Sequence, residues 1–260
     1  MRAAEIPMAN PMLNEARWGE LSRMEGGRAR STTMTVNGTV EKTAILLVLL
    51  GAAIGGMWWQ FWGASDQRLL MPLTIGGGLV GFVLALVGAF APRSTPITAP
   101  LYAIAKGILL GGITILFETR YPGLPVLAAV CTLGVLGTLL ALYRAGIIRA
   151  TDGFMRGVII ATVGAGVALL AVWLLAMFTD VGKSAMGALY GSGPIGLGFS
   201  AVMILLAAAN LVVDFGMIER GARAGRPKYF EWAGAMGLVV TIIWLYIEIL
   251  NLLGKLRGRE

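Results

Sequence analysis

The sequence predicts an all-α membrane protein, a bundle of seven transmembrane helices, and three observations carry that reading. Of its 260 residues 57% are hydrophobic and only 13% charged, against about 25% charged in an ordinary soluble domain. The charges gather in the first 42 residues, in short connections and at the C-terminus. The apolar runs between them are close to 20 residues long, the length that crosses a ~30 Å hydrocarbon core at ~1.5 Å per helical residue.

Residues 1–42 are polar and mixed in charge, with Arg17, Arg23, Arg28 and Arg30 interleaved with Glu15, Glu20, Glu25 and Glu41. They are expected to form a flexible cytoplasmic tail, with a short amphipathic helix around residues 14–24. No positively charged start runs into an apolar stretch within the first 30 residues, so a cleaved signal peptide is not expected. One transmembrane domain follows over residues 43–256. Its apolar runs cover residues 43–62, 71–90, 97–117, 122–143, 155–178, 194–214 and 232–253. Trp58, Trp59, Trp62, Tyr121, Tyr143 and Trp232 stand near their ends, as an interfacial aromatic belt requires. Short connections make consecutive helices antiparallel neighbours.

Lys and Arg accumulate on the cytoplasmic side of membrane proteins. With the N-terminus inside, 14 basic residues lie on that side and six on the other. Lys255, Arg257 and Arg259 weaken the bias: they lie outside if the last run crosses, and inside if it dips in and returns. Lys106 falls within a span and has no evident role. The same orientation rule accounts for the net charge of +7, so no nucleic-acid partner is expected.

Small residues four apart let membrane helices approach closely. Gly51/Gly55, Gly77/Gly81, Gly107/Gly111 and Gly187/Gly191 supply such pairs. Residues 191–196 satisfy a G-x-G-x-x-G pattern, but no strand precedes it and a membrane span follows, so the dinucleotide reading fails its context.

The chemistry available is narrow. A single cysteine, Cys131, excludes an intrachain disulfide and a cysteine metal cluster. The absence of histidine removes Ser-His and Cys-His pairs, HExxH zinc sites and the imidazole pH switch. Protonation chemistry must run on carboxylates, lysine or tyrosine. No enzyme and no resident cofactor is expected.

Ionisable groups within spans cost several kcal/mol, roughly 2.5–3.5 for Asp, Lys or Arg at a helix centre, and ask for a partner. Asp214 ends the sixth run, where a carboxylate opposes the helix dipole. It is either solvated by headgroups or joined to a basic group, a cation or a proton; Asn210, one turn earlier, could share its ligand. Glu248 lies deeper, on a stripe with Thr241, Trp244, Asn251 and Lys255 that should face the bundle interior or an aqueous path. Arg93 ends the second run on the same membrane face as Asp214, where it either snorkels or pairs. Glu118 ends the third run on the opposite face, beside Arg120.

Several motifs in order, Met34-Thr-Val-Asn-Gly-Thr-Val, Tyr121-Pro-Gly, Asp214-Phe-x-x-Ile-Glu219-x-Gly221, Pro227-Lys-Tyr-x-Glu231-Trp232 and Trp244-Leu-Tyr-x-Glu248-Ile-Leu, resemble the bacterial branch of the Bax inhibitor-1/YccA-like family. The resemblance runs from about Met34 to Leu256. It implies six helices around a central seventh and, for some bacterial members, a pH-sensitive calcium leak. It further implies a sensing pair of acids on the sixth and seventh helices, latched by an arginine of the second. Those roles would fall on Asp214, Glu248 and Arg93, with calcium expected transiently at the two carboxylates. Here the second acid is a glutamate. Glu248 also lies 16 residues beyond Trp232, about 24 Å of helix rise, so either the last helix starts below the membrane or the segment is re-entrant; Glu231 is then a substitute partner.

The leading expectation is a carboxylate-gated cation leak in a bacterial inner membrane. The alternative is a regulator that transports nothing and modulates a membrane protease or stress-response partner, with residues 1–42 as the docking segment.

Overall fold

The computed structural model describes residues 32–64 and 67–258. The expected helix at 14–24, and most of the tail, lie outside these residues. Among the described residues eight helices follow: α1 Val36–Phe61, α2 Leu70–Phe90, α3 Thr95–Arg120, α4 Leu124–Arg144, α5 Asp152–Phe178, α6 Asp180–Tyr190, α7 Pro194–Arg223 and α8 Phe230–Arg257. A 3₁₀ turn, Pro92–Ser94, joins α2 to α3. All but α6 are long and apolar enough to cross a membrane. Among the described residues there is no strand, only an isolated antiparallel bridge between Thr33 and Pro227.

Alternation sets the ends of α1, α2, α4, α7 and α8 nearest the tail on one face, termed here the tail face. The loops after α1, α3 and α5 lie on the far face. The last helix is central: α8 packs against α1, α3, α4 and α7. Its Ala235, Val239 and Leu245 are fully buried, in two clusters with Leu46, Ala99 and Ala103 on one side and Ala207 and Leu211 on the other. α2 packs chiefly on α3, and α5 on α6 and α7. The tightest approaches depend on glycine. A Cβ on Gly77 would lie 2.6 Å from the Ala105 carbonyl oxygen, and one on Gly107 2.6 Å from that of Leu50. Backbones this close supply the van der Waals contact that stands in for a hydrophobic drive in lipid.

Three element boundaries differ from expectation. α1 begins at Val36, within the segment read as tail, because Thr35 caps it: its hydroxyl accepts from the Gly38 N–H at 2.9 Å. α7 continues nine residues beyond Asp214, through the Glu219–Arg223 pair one turn apart (2.5 Å). Hydropathy marks where hydrocarbon ends, not where a helix does. α8 runs unbroken for 28 residues, long and apolar enough to cross, with no break at which the segment could turn back. The 11-residue α6 was not anticipated, although Thr179 caps it and Asp180 occupies its first turn.

Candidate functional site

The extension of α7 changes the setting of Asp214. The carboxylate lies nine residues before the helix end, about 14 Å of rise, so no helix C-terminus opposes its charge. Its bond comes from the adjacent helix: Thr241 Oγ1 of α8 donates to Asp214 Oδ2 at 2.6 Å. A basic partner for it does not stand among the described residues. Among the described residues, no ion pair within 4.0 Å reaches Asp214. Asn210 does not share its ligand either, since its Nδ2 donates to Thr162 Oγ1 of α5 (2.7 Å) and to the Leu206 carbonyl (2.8 Å).

Glu248 lies on the face of α8 that carries Thr241, seven residues and two turns further toward the far face, about 10 Å of rise. It is half-buried and accepts from Trp244 Nε1 at 3.3 Å. The two acids therefore lie along one stripe without touching. Arg93 is exposed on the 3₁₀ turn. That turn sits at the start of α8, where Thr95 Oγ1 donates to the Tyr229 carbonyl at 3.2 Å. Tyr229 precedes Thr241 by 12 residues, about 18 Å of rise. The structure does not bring Arg93, Asp214 and Glu248 together.

Two further groups continue the stripe. Asn251 and Lys255 line a far-face cavity of about 340 Å³ with Tyr121, Tyr190 and Ser192. Lys255 is buried and donates to the Leu189 and Gly196 carbonyls (2.9 and 3.0 Å) and to Ser200 Oγ (2.9 Å). It thereby ties α8 to the last turn of α6, where a cation complements the helix dipole. Glu118 does not pair with Arg120: its Oε1 accepts from the Gly123 N–H at 2.9 Å, closing the α3–α4 turn, while Arg120 stacks on Tyr121. Lys106 lays its stem against Gly81 of α2, and its ammonium lies 5.9 Å from the centre of the Tyr102 ring, a cation–π contact.

The most heavily bonded acid among the described residues is Glu231, in the first turn of α8 and 0% exposed. Its Oε1 accepts from the Thr35 N–H and hydroxyl, both at 2.9 Å, and pairs with Lys228 at 3.0 Å; its Oε2 pairs with Lys42. The carboxylate thus sits at the N-terminus of α1, where the helix dipole favours an anion. A Cβ on Gly38 would overlap it. The Met34 N–H donates to the Arg226 carbonyl (2.6 Å) and the Lys228 N–H to that of Thr32 (2.9 Å), so residues 32–35 are strapped to the α7–α8 turn. The sequence marks Glu231 as an acid of interest. It gives no sign of Lys42 or Thr35 as its partners.

Hard oxygen ligands suit calcium, which takes six to eight of them. Among the described residues no group of three or more His, Cys, Asp or Glu could hold a metal ion. Glu248 lies two turns of α8 beyond Thr241, the partner of Asp214, and the two carboxylates form no such group. No curated protein and no solved structure matches this chain. The family model for Bax inhibitor 1 like proteins matches residues 10–258, nearly the whole length, and the protein belongs to that family.

Proposed function

We propose that the protein is a pH-sensitive cation leak, with calcium as the expected ion, whose gate is carried by carboxylates along one face of α8. The observation that supports this most is Asp214: an acid about 14 Å inside α7, bonded to one hydroxyl and to no cation among the described residues. A carboxylate taken out of water with a single hydroxyl for a partner is costly. Nothing in its surroundings repays that cost structurally, so a transient cation or proton is its natural partner.

Ionised, Asp214 can only accept from Thr241; protonated, it can also donate, and the α7–α8 joint must re-form its hydrogen bond. Glu248 supplies the next oxygen along the path. With no histidine, a response near neutrality falls to carboxylates, lysine or tyrosine, and on this path the carboxylates are the groups present. Arg93 takes no part in this arrangement. The reading sets the tail face in the cytoplasm of a bacterial inner membrane, by the basic-residue bias, and requires neither an enzymatic step nor a resident cofactor.

The test is flux from calcium-loaded liposomes containing the purified protein. A pH-dependent leak absent from empty liposomes is expected, with Asp214→Asn and Glu248→Gln each flattening the pH profile. Wild-type profiles in both variants would move the gate to Glu118 or Glu231. No flux at any pH, with a stable membrane-protein complex on pull-down, would replace the leak with the regulator.

A further inference from the structure

A second cavity opens at the tail face between α1, α4 and α7. It holds about 910 Å³, within the ~300–1,000 Å³ of ordinary small-molecule sites. Leu47, Leu136, Leu140 and Phe215 wall it, and Leu238 and Ile242 of α8 form its floor. The floor residues are eight and 12 positions into α8, about 12–18 Å below the tail-face end. The interior is therefore apolar and reaches well into hydrocarbon depth.

The mouth is basic. Arg144, Arg149, Arg220 and Arg223 line it, with Glu219 as its one acid. Both oxygens of Glu219 are engaged, by the Tyr143 hydroxyl at 2.7 Å and by Arg223 at 2.5 Å. Arg220 pairs with Asp152 (2.5 Å) and donates to the Ala150 carbonyl (2.7 Å). Arg144 and Arg149 are exposed and have no carboxylate partner among the described residues; Arg149 Nε donates only to the Gly146 carbonyl at 3.3 Å. They stand in the last turn of α4 and the loop after it, the depth of lipid headgroups. A guanidinium cluster there repels cations, so this cavity makes a poor entrance for a leak.

We propose that this groove is a binding site for an anionic phospholipid of the tail-side leaflet. The phosphate rests on Arg144 and Arg149, and one acyl chain runs down the leucine wall to Leu238 and Ile242. An apolar shaft capped by arginines with no carboxylate partner among the described residues complements that molecule at both ends. A zwitterionic lipid offers its phosphate together with a choline, which the arginines repel, and a soluble phosphate leaves the shaft unfilled. The site stands whether or not the protein leaks cations.

The test uses the full-length protein in phosphatidylcholine nanodiscs carrying a trace of phosphatidylglycerol with a photoactivatable acyl chain, cross-links being mapped by mass spectrometry. Labelling is expected at Leu136, Leu140 and Phe215. It should fall roughly 30-fold in Arg144→Gln/Arg149→Gln, each arginine near an anionic headgroup counting for about fivefold. Ala44→Trp keeps the charges and fills the groove from an exposed position on its wall; it should abolish the same cross-links. Excess glycerol phosphate should not compete. Equal labelling by a phosphatidylcholine probe, persistence in the double arginine variant, or cross-links confined to the outer helix faces would each overturn the site. Competition by glycerol phosphate would reassign it to a soluble anion.

Discussion

Replacing Glu231 with alanine should be among the most destabilising single changes in this protein. The carboxylate is 0% exposed and neutralises Lys42, whose own side chain is only 16% exposed and lies 5.6 Å from the centre of the Trp232 ring. Removal strands the Lys42 ammonium and both Thr35 donors, and breaking one side of a buried pair costs about 3–5 kcal/mol. Lys228 adds little, since at 47% exposure solvent screens it. At ~2–4 °C per kcal/mol for domains of comparable size, the melting temperature of the detergent-solubilised protein should drop by about 6–20 °C, with Trp232 fluorescence as the local reporter. Glu231→Ala/Lys42→Met should lose less than the sum of the single changes, because the second removes the charge that the first strands. A Glu231→Ala protein melting within about 2 °C of wild type, at most about one kcal/mol on that scale, would show that the pair carries no such energy. So would strict additivity with Lys42→Met.

Thr241→Val should weaken the α7–α8 joint by about 1.5–3 kcal/mol, the usual worth of a hydrogen bond to a charged group, and change the pH profile of liposome flux; an unchanged profile would detach Thr241 from the gate. Gly107→Val should cost about 1–3 kcal/mol through overpacking against Leu50 and Ala53, measured as a fall in melting temperature. Lys255→Met leaves two carbonyls and Ser200 without their donor, so increased proteolytic cutting between α5 and α7 is expected as α6 loosens. By contrast Asp180→Asn, at an exposed pair with Lys183, should shift stability by less than about 1 kcal/mol in the same melting assay.

The helices were readable because hydrocarbon thickness forces long apolar runs, and nothing else in the chain needs them. Their ends were not. The run that stops at Asp214 belongs to a helix that goes on to Arg223, since backbone hydrogen bonding continues after hydropathy fails. The stripe on α8 was legible from spacing alone, and it correctly joined Thr241 to Glu248 on one face. What faced each of its members was not: Asp214 with Thr241, and Glu231 with Lys42, join positions 27 and 189 residues apart, and no local pattern encodes such pairings. Lys106 resisted explanation because its accommodation lies in what Gly81 lacks, on another helix.

The joint at Glu231 also fixes an order of events during synthesis. Lys42 emerges 189 residues before the acid that neutralises it. At ~5–20 residues per second a ribosome needs about 10–40 s to cover that distance. Throughout that interval α1 carries the Lys42 ammonium near one end without its Glu231 partner. While the charge remains uncompensated it resists being drawn through the bilayer, and so helps to hold the orientation of the first span. The arrival of α8 then converts a sorting signal into a structural bond.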